Sequence, residues 1–377
     1  MLKHNPNTTI VRRAAAIGAA LALALVAGCG TTTDGGSDAG SGASVEEGFT
    51  VGLLLPESKT ARYEKFDKPY FEEALKEECP KCKVSYQNAD QDTGKQQSQA
   101  EAMLTEGIDV MVLDAVDTEA AGAVVKQSKS QDVPVVAYDR LAQGGVDYYV
   151  SFDNKNVGKV QGESLVEALE KEGGDKGEIV MINGSPTDPN AADFKAGAHE
   201  VLDGAVKIGA EYDTPDWSPD KAQQQMEQAI TSVGADKISG VYSANDGMAS
   251  GVIAALKSAG VDDLPPITGQ DAELAGIQRI ISGEQYMTVY KAIKPEAEIA
   301  AKMAVAAATG EKFDGEGATE IEDPDGNKVA SVLLDPVPVT ADDIEETVIA
   351  DGFYTVEEVC TGDFADKGFC KEATGDK

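Results

Sequence analysis

Asp139-Arg140, Asp188-Pro189-Asn190, Asn245-Asp246 and Gln270-Asp271 each set a carboxylate or side-chain amide beside a second polar group, and each follows an apolar run. Lys291 stands in the same relation to residues 287–290. Two aromatic residues, Tyr63 and Trp217, open helical stretches. Carboxylates and amides exchange hydrogen bonds with vicinal hydroxyls, and an aromatic face covers the C–H side of a ring, so this set suits a neutral polyol. Taken singly, each group has a plainer role. Asp188-Pro189 and Asn245-Asp246 fit turns or helix N-caps, Asp139-Arg140 fits a structural ion pair, and Trp217 fits a core. Their joint placement favours a site, because capping does not require five polar clusters just past strands in two halves of a chain.

Short apolar runs alternate with amphipathic stretches from Phe49 onward. Residues 50–55, 83–88, 110–113 and 135–138 read as buried strands, and 63–78, 93–106 and 119–131 as helices, with Thr93 the expected N-cap. A second series follows the link at 148–154. Its strands are expected at 177–182, 207–213, 240–243, 267–269 and 286–290, and its helices at 156–171, 190–203, 219–233, 247–259 and 272–282. A helix over 295–309 and an irregular acidic tail complete the chain. Strands separated by helices of 12–16 residues imply βαβ units and parallel sheets, here two doubly wound α/β domains in tandem. Ligands of such sheets sit beyond the carboxyl ends of the strands, where the polar clusters fall.

Enzymatic chemistry finds little support. Beyond residue 28 the chain has one histidine, His199, inside an amphipathic helix. There is no nucleophile elbow, phosphate-binding loop or dinucleotide fingerprint. Paired carboxylates for glycoside hydrolysis remain open on spacing alone. No cofactor is implied. Removing residues 1–28 leaves 29 Lys and Arg against 66 Asp and Glu, a formal charge of −37. Nucleic acid and anionic headgroups need a basic surface and are poor partners for such a chain.

Val26-Ala27-Gly28-Cys29 ends a segment in which Lys3, Arg12 and Arg13 precede an apolar run over 14–27, and a Gly/Ser/Thr/Asp spacer follows over 30–48. That order is the plan of a secretory signal peptide, and the apolar run is shorter than the ~20 residues of a membrane span. Small residues directly before Cys29 resemble a bacterial lipobox, so Cys29 is the expected lipid-bearing N-terminus of an extracytoplasmic protein tethered to the cell membrane. Of the other cysteines, Cys79, Cys82, Cys360 and Cys370, an oxidising compartment permits three connectivities, and the local pairs Cys79–Cys82 and Cys360–Cys370 are the expected ones. Their spacing fits no zinc site, and no metal is expected.

The runs Ala137-Tyr-Asp-Arg140, Tyr149-Val-Ser-Phe-Asp-Asn154, Gly184-Ser-Pro-Thr-Asp-Pro-Asn-Ala191, Ser243-Ala-Asn-Asp246, Thr268-Gly-Gln-Asp-Ala-Glu-Leu-Ala-Gly276 and Met287-Thr-Val-Tyr-Lys291 resemble the ribose/galactose-binding periplasmic family. These are the sugar-binding components of ABC transporters, and the match is densest to the xylose-like branch. The resemblance implies Asp139 and Arg140 as sugar contacts of one lobe, and Asp188, Asn190, Asn245 and Asp271 as those of the other. It implies Lys291 near the interlobe crossover, Trp217 as a stacking aromatic, and Arg62-Tyr63 where the family has Arg-Trp. Tyrosine there gives a smaller stacking face, and Pro189 is a further departure. The implied fold is a type I periplasmic binding protein, two doubly wound parallel-sheet lobes joined by a three-strand hinge. Its divisions would be 1–28 signal peptide, 29–48 tether, 49–152 plus 292–333 as lobe 1, and 153–291 plus 334–377 as lobe 2 with the tail. The implied ligand is xylose or a related monosaccharide and the implied partner an ABC permease, with a chemoreceptor or signalling kinase as the alternative partner.

Processing at Cys29 is open to a direct check. Cys29→Ser should leave unprocessed, non-acylated precursor, and mass spectrometry of a lipid-bearing mature N-terminus in that variant would contradict the reading.

Overall fold

The structure, a computed structural model, describes residues 43–171, 173 and 177–373, so Cys29 and the segment before it lie outside the described residues. Five parallel strands, β1 (Thr50–Leu55), β2 (Lys83–Asn88), β3 (Val110–Leu113), β4 (Val135–Tyr138) and β5 (Tyr148–Phe152), make the body of a first sheet. Helices α1 (Lys68–Glu78), α2 (Thr93–Glu106) and α3 (Ala121–Ser130) connect β1 to β4. β3 and β4 are buried along their whole length, as unbroken apolar runs between helical layers must be. Asp92, not Thr93, caps α2: its carboxylate accepts from the Lys95 amide at 2.8 Å. The helix expected over 63–78 starts as a π-helical turn, Tyr63–Asp67, before α1.

Residues 148–154 were expected as a link, yet they supply β5 and the start of α4 (Asn154–Lys171). A second parallel sheet follows, made of β6 (Glu178–Asn183), β7 (Lys207–Asp213) and β8 (Ile238–Ser243) in the order β7-β6-β8. Its helices are α5 (Pro189–Leu202), α6 (Pro219–Val233), α7 (Asp246–Ser258) and α8 (Leu274–Ser282). The strand expected at 267–269 is reduced to one bridge, Ile267 to Val241. Helix α8 starts later than expected because Asp271 and Ala272 have φ of 86° and 46°, outside helical space.

The chain then returns to the first sheet. β9 (Thr288–Tyr290) leads into α9 (Ile293–Thr309), whose Ala297, Ala300, Ala301 and Ala304 pack in the first sheet's core. The tail is not irregular: β10 (Ala318–Glu322) and β11 (Lys328–Leu334) form a hairpin, and β11 lies parallel beside β5. β12 (Val337–Val339) pairs antiparallel with β9. The full order of the first sheet is β10-β11-β5-β4-β3-β1-β2. Cys79–Cys82 and Cys360–Cys370 are disulfide-bonded, each with Cα atoms 5.3 Å apart. Among the described residues no helix is long and apolar enough to cross a membrane.

Helices α4 and α5 pack at backbone contact, and this sets where the start of α5 lies. A Cβ on Gly158 would fall 1.8 Å from the Phe194 carbonyl oxygen, and one on Gly197 1.9 Å from that of Lys155. Overpacking of this kind costs about 1–3 kcal/mol or more when backbone must move. Gly158→Ala should therefore lower the unfolding free energy by about that amount, read as a lower chemical denaturation midpoint, and an unchanged midpoint would show that the helices can part freely.

Candidate functional site

The two sheets deliver their strand ends to one narrow cavity, whose free space of about 20 Å³ is nearly filled by its own lining side chains. Its lining includes all ten residues expected from the sequence: Arg62, Tyr63, Asp139, Arg140, Asp188, Asn190, Trp217, Asn245, Asp271 and Lys291. Thr60, Phe194 and Gln270 line it as well. Phe194 was legible in principle, since it stands one turn beyond Asn190 on α5 and so shares its face. Gln270 adjoins Asp271 in a cluster already recognised, whereas Thr60 lies in a loop that carries no periodic signal.

Each polar residue is aimed by local backbone chemistry. Asp139 follows β4 with φ 57° and Asp271 has φ 86°, positions that strain a non-glycine residue and persist only where surroundings enforce them. The Asp139 amide donates to Val150 O of β5 at 2.9 Å, and the Tyr149 hydroxyl donates to Asp139 O at 3.1 Å. Asp188 and Asn245 are N-caps and pocket residues at once. Asp188 Oδ1 accepts from the Asn190 amide at 2.9 Å, which leaves Oδ2 for Trp217 Nε1 at 3.1 Å and for an ion pair with Arg140 Nε at 3.0 Å. Asn245 Oδ1 accepts from the Met248 amide at 2.9 Å, and its amide nitrogen remains for the cavity. The indole of Trp217 lies directly on the chain at Gly184, where a Cβ would fall 2.1 Å from the ring. It belongs to the core of the second sheet while it lines the cavity.

Direct bonds already join the two sides. Asn190 Nδ2 donates to Asp139 O at 3.0 Å and to Asp139 Oδ1 at 2.9 Å. Asp139 and Arg140, adjacent in sequence, pair with other groups: Arg62 Nη1 meets Asp139 Oδ2 at 2.5 Å, and Arg140 meets Asp188 and, at 3.5 Å, Asp114. Behind the lining, Arg62 also donates to Asp67 Oδ2 and Oδ1 at 3.0 and 2.6 Å and to Glu296 Oε2 at 2.9 Å. Asp67, Asp114 and Glu296 were not expected from the sequence. Glu296 lies 234 positions from Arg62, and no local pattern links them.

Three cations, Arg62, Arg140 and Lys291, face three lining carboxylates, Asp139, Asp188 and Asp271, with Lys291 Nζ 3.0 Å from Asp271 Oδ1. Burial opposes the charge on Arg62, but Asp67, Asp139 and Glu296 override it and raise its pKa. Burial likewise works against Asp139, yet Arg62, Lys291 and Arg140 hold it down at about 2. Asp188 is raised, by burial, against the pull of Arg140. Each lining cation already meets a lining carboxylate, and Asp67, Asp114 and Glu296 stand behind Arg62 and Arg140, so an anionic ligand would have to displace a bound carboxylate, whereas a neutral polyhydroxyl ligand would not. Gln270 Oε1 is a buried oxygen that accepts no hydrogen bond among the described residues, and Asp271 Oδ1 faces the Lys291 ammonium. Hydroxyl groups are the donors such oxygens suit.

Asp246, expected with Asn245 as one cluster, has a different role. It is wholly buried and accepts from Gln285 Nε2 at 2.6 Å, Thr288 Oγ1 at 2.9 Å and the Glu273 amide at 2.9 Å, which ties α7 to β9 and the start of α8. Burial pushes its pKa up to about 7, and that of neighbouring Glu273, by burial and the Asp246 charge, up to about 8.

Residues 51–312 match the family model of the periplasmic binding protein domain. The chain is 38% identical over 315 residues to the D-xylose-binding periplasmic protein of Haemophilus influenzae, covering 82% of this chain and 91% of that one. Its identity to the D-xylose-binding periplasmic protein of Escherichia coli is 36% over 317 residues, covering 82% and 92%. Among solved structures, an ABC transporter solute-binding protein from Clostridium phytofermentans with bound β-D-glucose superposes with a TM-score of 0.74 at 32% identity, covering 82% of this chain and 99% of that one.

The raised carboxyls make stability depend on pH in a definite direction. Asp246 keeps its proton in the folded chain up to about pH 7, whereas the unfolded chain releases it near the ordinary aspartate value of 3.8. Between those values the folded state binds more protons, so stability is greatest at the acid end and falls as pH rises, by at most roughly 4 kcal/mol for this group. Glu273 acts in the same sense up to about pH 8. The thermal midpoint should drop between pH 5 and pH 8 and drop less in Asp246→Asn. A midpoint that climbs across that window in calorimetry would refute the assignment.

Proposed function

We propose a function on one premise: the chain belongs to the periplasmic binding protein family. Members of this family are non-enzymatic solute-binding proteins, and the site contains what binding needs without a catalytic step. The protein captures a monosaccharide, with xylose the first candidate, in the cavity between its two sheets. The carrying observation is that cavity itself, in which each cation is paired with a carboxylate and the ten residues expected from the sequence converge.

In this reading Asp271 and Gln270 accept from sugar hydroxyls, Asn245 and Lys291 donate to them, and Asp139, Arg140, Asp188, Asn190 and Arg62 frame the remaining positions. Trp217, with Phe194 edge-on at 6.2 Å, supplies one apolar wall and Tyr63 the other. Residues 49–152 with 292–333 form one lobe, and 153–291 with 334–377 form the other. Three strands cross between them, after β5, after β9 and between β11 and β12. Opening and closing about these crossings admits the sugar, and the closed form presents a joined surface to an ABC permease. Lipid on Cys29 holds the protein at the outer face of the membrane.

Similarity to xylose-binding relatives and to a glucose-bound structure supports the sugar class, and the higher identity to the xylose-binding relatives makes xylose the first candidate. Isothermal calorimetry tests both levels. Asp271→Ala and Asn245→Ala should each weaken xylose binding roughly tenfold or more, because truncation leaves buried polar groups unpaired at about 1–3 kcal/mol. Unchanged affinity in both variants would remove the site, while glucose binding as tightly as xylose would remove only the preference for a pentose.

A further inference from the structure

Phe66 lies in the same π-helical turn as Tyr63, but its side chain packs into an apolar cluster formed largely by the C-terminal segment. Its ring stacks on Phe353 with centroids 4.0 Å apart and planes at 21°, and meets Tyr354 edge-on at 5.7 Å. Lys65 Nζ sits 4.4 Å above the Tyr354 ring and 3.3 Å from Glu358 Oε1. Phe353 also meets Tyr290 edge-on at 5.1 Å, and the Tyr290 hydroxyl donates to Asp351. Tyr290 immediately precedes Lys291. One C-terminal segment therefore grips, from behind, the turn that carries Arg62 and Tyr63 and the strand that delivers Lys291. The segment is itself closed by Cys360–Cys370 and tied to α8, where Gln278 Nε2 donates to Val359 O at 3.3 Å.

We propose that residues 344–370 are a brace that sets the position of the Arg62-Tyr63 turn and of Lys291 for the sugar, with Phe353 as its central positioning residue. This inference rests on the sugar-binding reading of the cavity. The Arg62 guanidinium meets Asp67, Asp139 and Glu296 at 2.5–3.0 Å, and hydrogen bonds to charged groups lose strength steeply with small displacements. Arg62 at the N-terminal end of the turn makes no side-chain cap, and the side-chain polar contacts that Arg62, Tyr63 and Asp67 make beyond the turn run towards the first sheet and α9. Packing of Phe66 against Phe353 supplies an anchor that the pocket does not.

The test uses the full mature chain, with D-xylose and D-glucose as probes. Phe353→Ala should weaken binding of whichever sugar the unmodified protein takes by about tenfold, the effect of losing one charge-assisted hydrogen bond. Amide hydrogen exchange over residues 61–67 should accelerate in the same variant. Trp217, the single tryptophan, should keep its emission in the sugar-free variant, because its wall belongs to the other sheet. Phe353→Met, which refills most of the apolar contact, should recover most of the affinity. If Phe353→Ala does not fold, the paired Cys360→Ser, Cys370→Ser variant carries the same expectation. A folded Phe353→Ala protein with unchanged affinity and unchanged exchange overturns the brace. Failure of the unmodified protein to bind either sugar overturns the ligand reading instead, and exchange over residues 61–67 then decides the brace alone.

Discussion

Arg62 carries a positive charge in a place that is only 3% exposed, and the three carboxylates of Asp67, Asp139 and Glu296 are what make that tenable. An isolated ion at such a depth would be strongly disfavoured, and even a paired one is stable only with good geometry and satisfied donors. The partners come from four parts of the chain: the loop after β1 supplies Arg62, the π-helical turn Asp67, the end of β4 Asp139, and α9 Glu296. The cluster can therefore form only when the first sheet, its covering helix and the returning crossover are all in place. Tyr138 joins the same cluster, its hydroxyl donating to Asp67 Oδ1 at 2.6 Å.

The second sheet follows the same rule on a smaller scale. Asp188 and Asn245 each use one atom to cap a helix and another to face the cavity, so secondary structure and site share side chains. A cap residue is held within narrow limits by the helix it starts. Asp139 and Asp271, by contrast, are aimed by unfavourable backbone angles, which the surrounding ladders enforce. Two devices, capping and enforced strain, thus place carboxylates at the ends of strands whose interiors are purely apolar.

Charge pairing across the cavity bears on which ligand the proposed site would take. Lys291 with Asp271, Arg140 with Asp188 and Arg62 with Asp139 are matched pairs, so a phosphorylated or acidic solute would have to displace a bound carboxylate. In the proposed sugar site, aromatic cover from Trp217 and Tyr63 is the apolar part of recognition, and the polar pairs set the orientation. The pairs Arg140–Asp188 and Asn190–Asp139 also run from one sheet to the other, so the groups available to a ligand are the groups that hold the two sides together.

Much of this was legible in the residues alone. Apolar runs of four to six residues separated by helical spacing set the boundaries of β1 to β4, α2, β7 and α6, because strand and helix periods are local properties of the chain. The polar clusters were legible too, since they stand directly beyond those runs, whereas the cysteines left three connectivities open, of which the folded chain forms the preferred local one. Tertiary structure alone decided the rest. Whether Asn245 and Asp246 served one site or two depended on which neighbours each side chain met, and Gln285, Thr288 and Glu273 claimed Asp246. Asp67, Asp114 and Glu296 entered the site only through contacts that no local period encodes. The tail looked irregular because β10 is exposed and largely polar, and β5, the partner of β11, lies far away in sequence; strand pairing is a non-local interaction, and only the folded sheet supplies the missing edge.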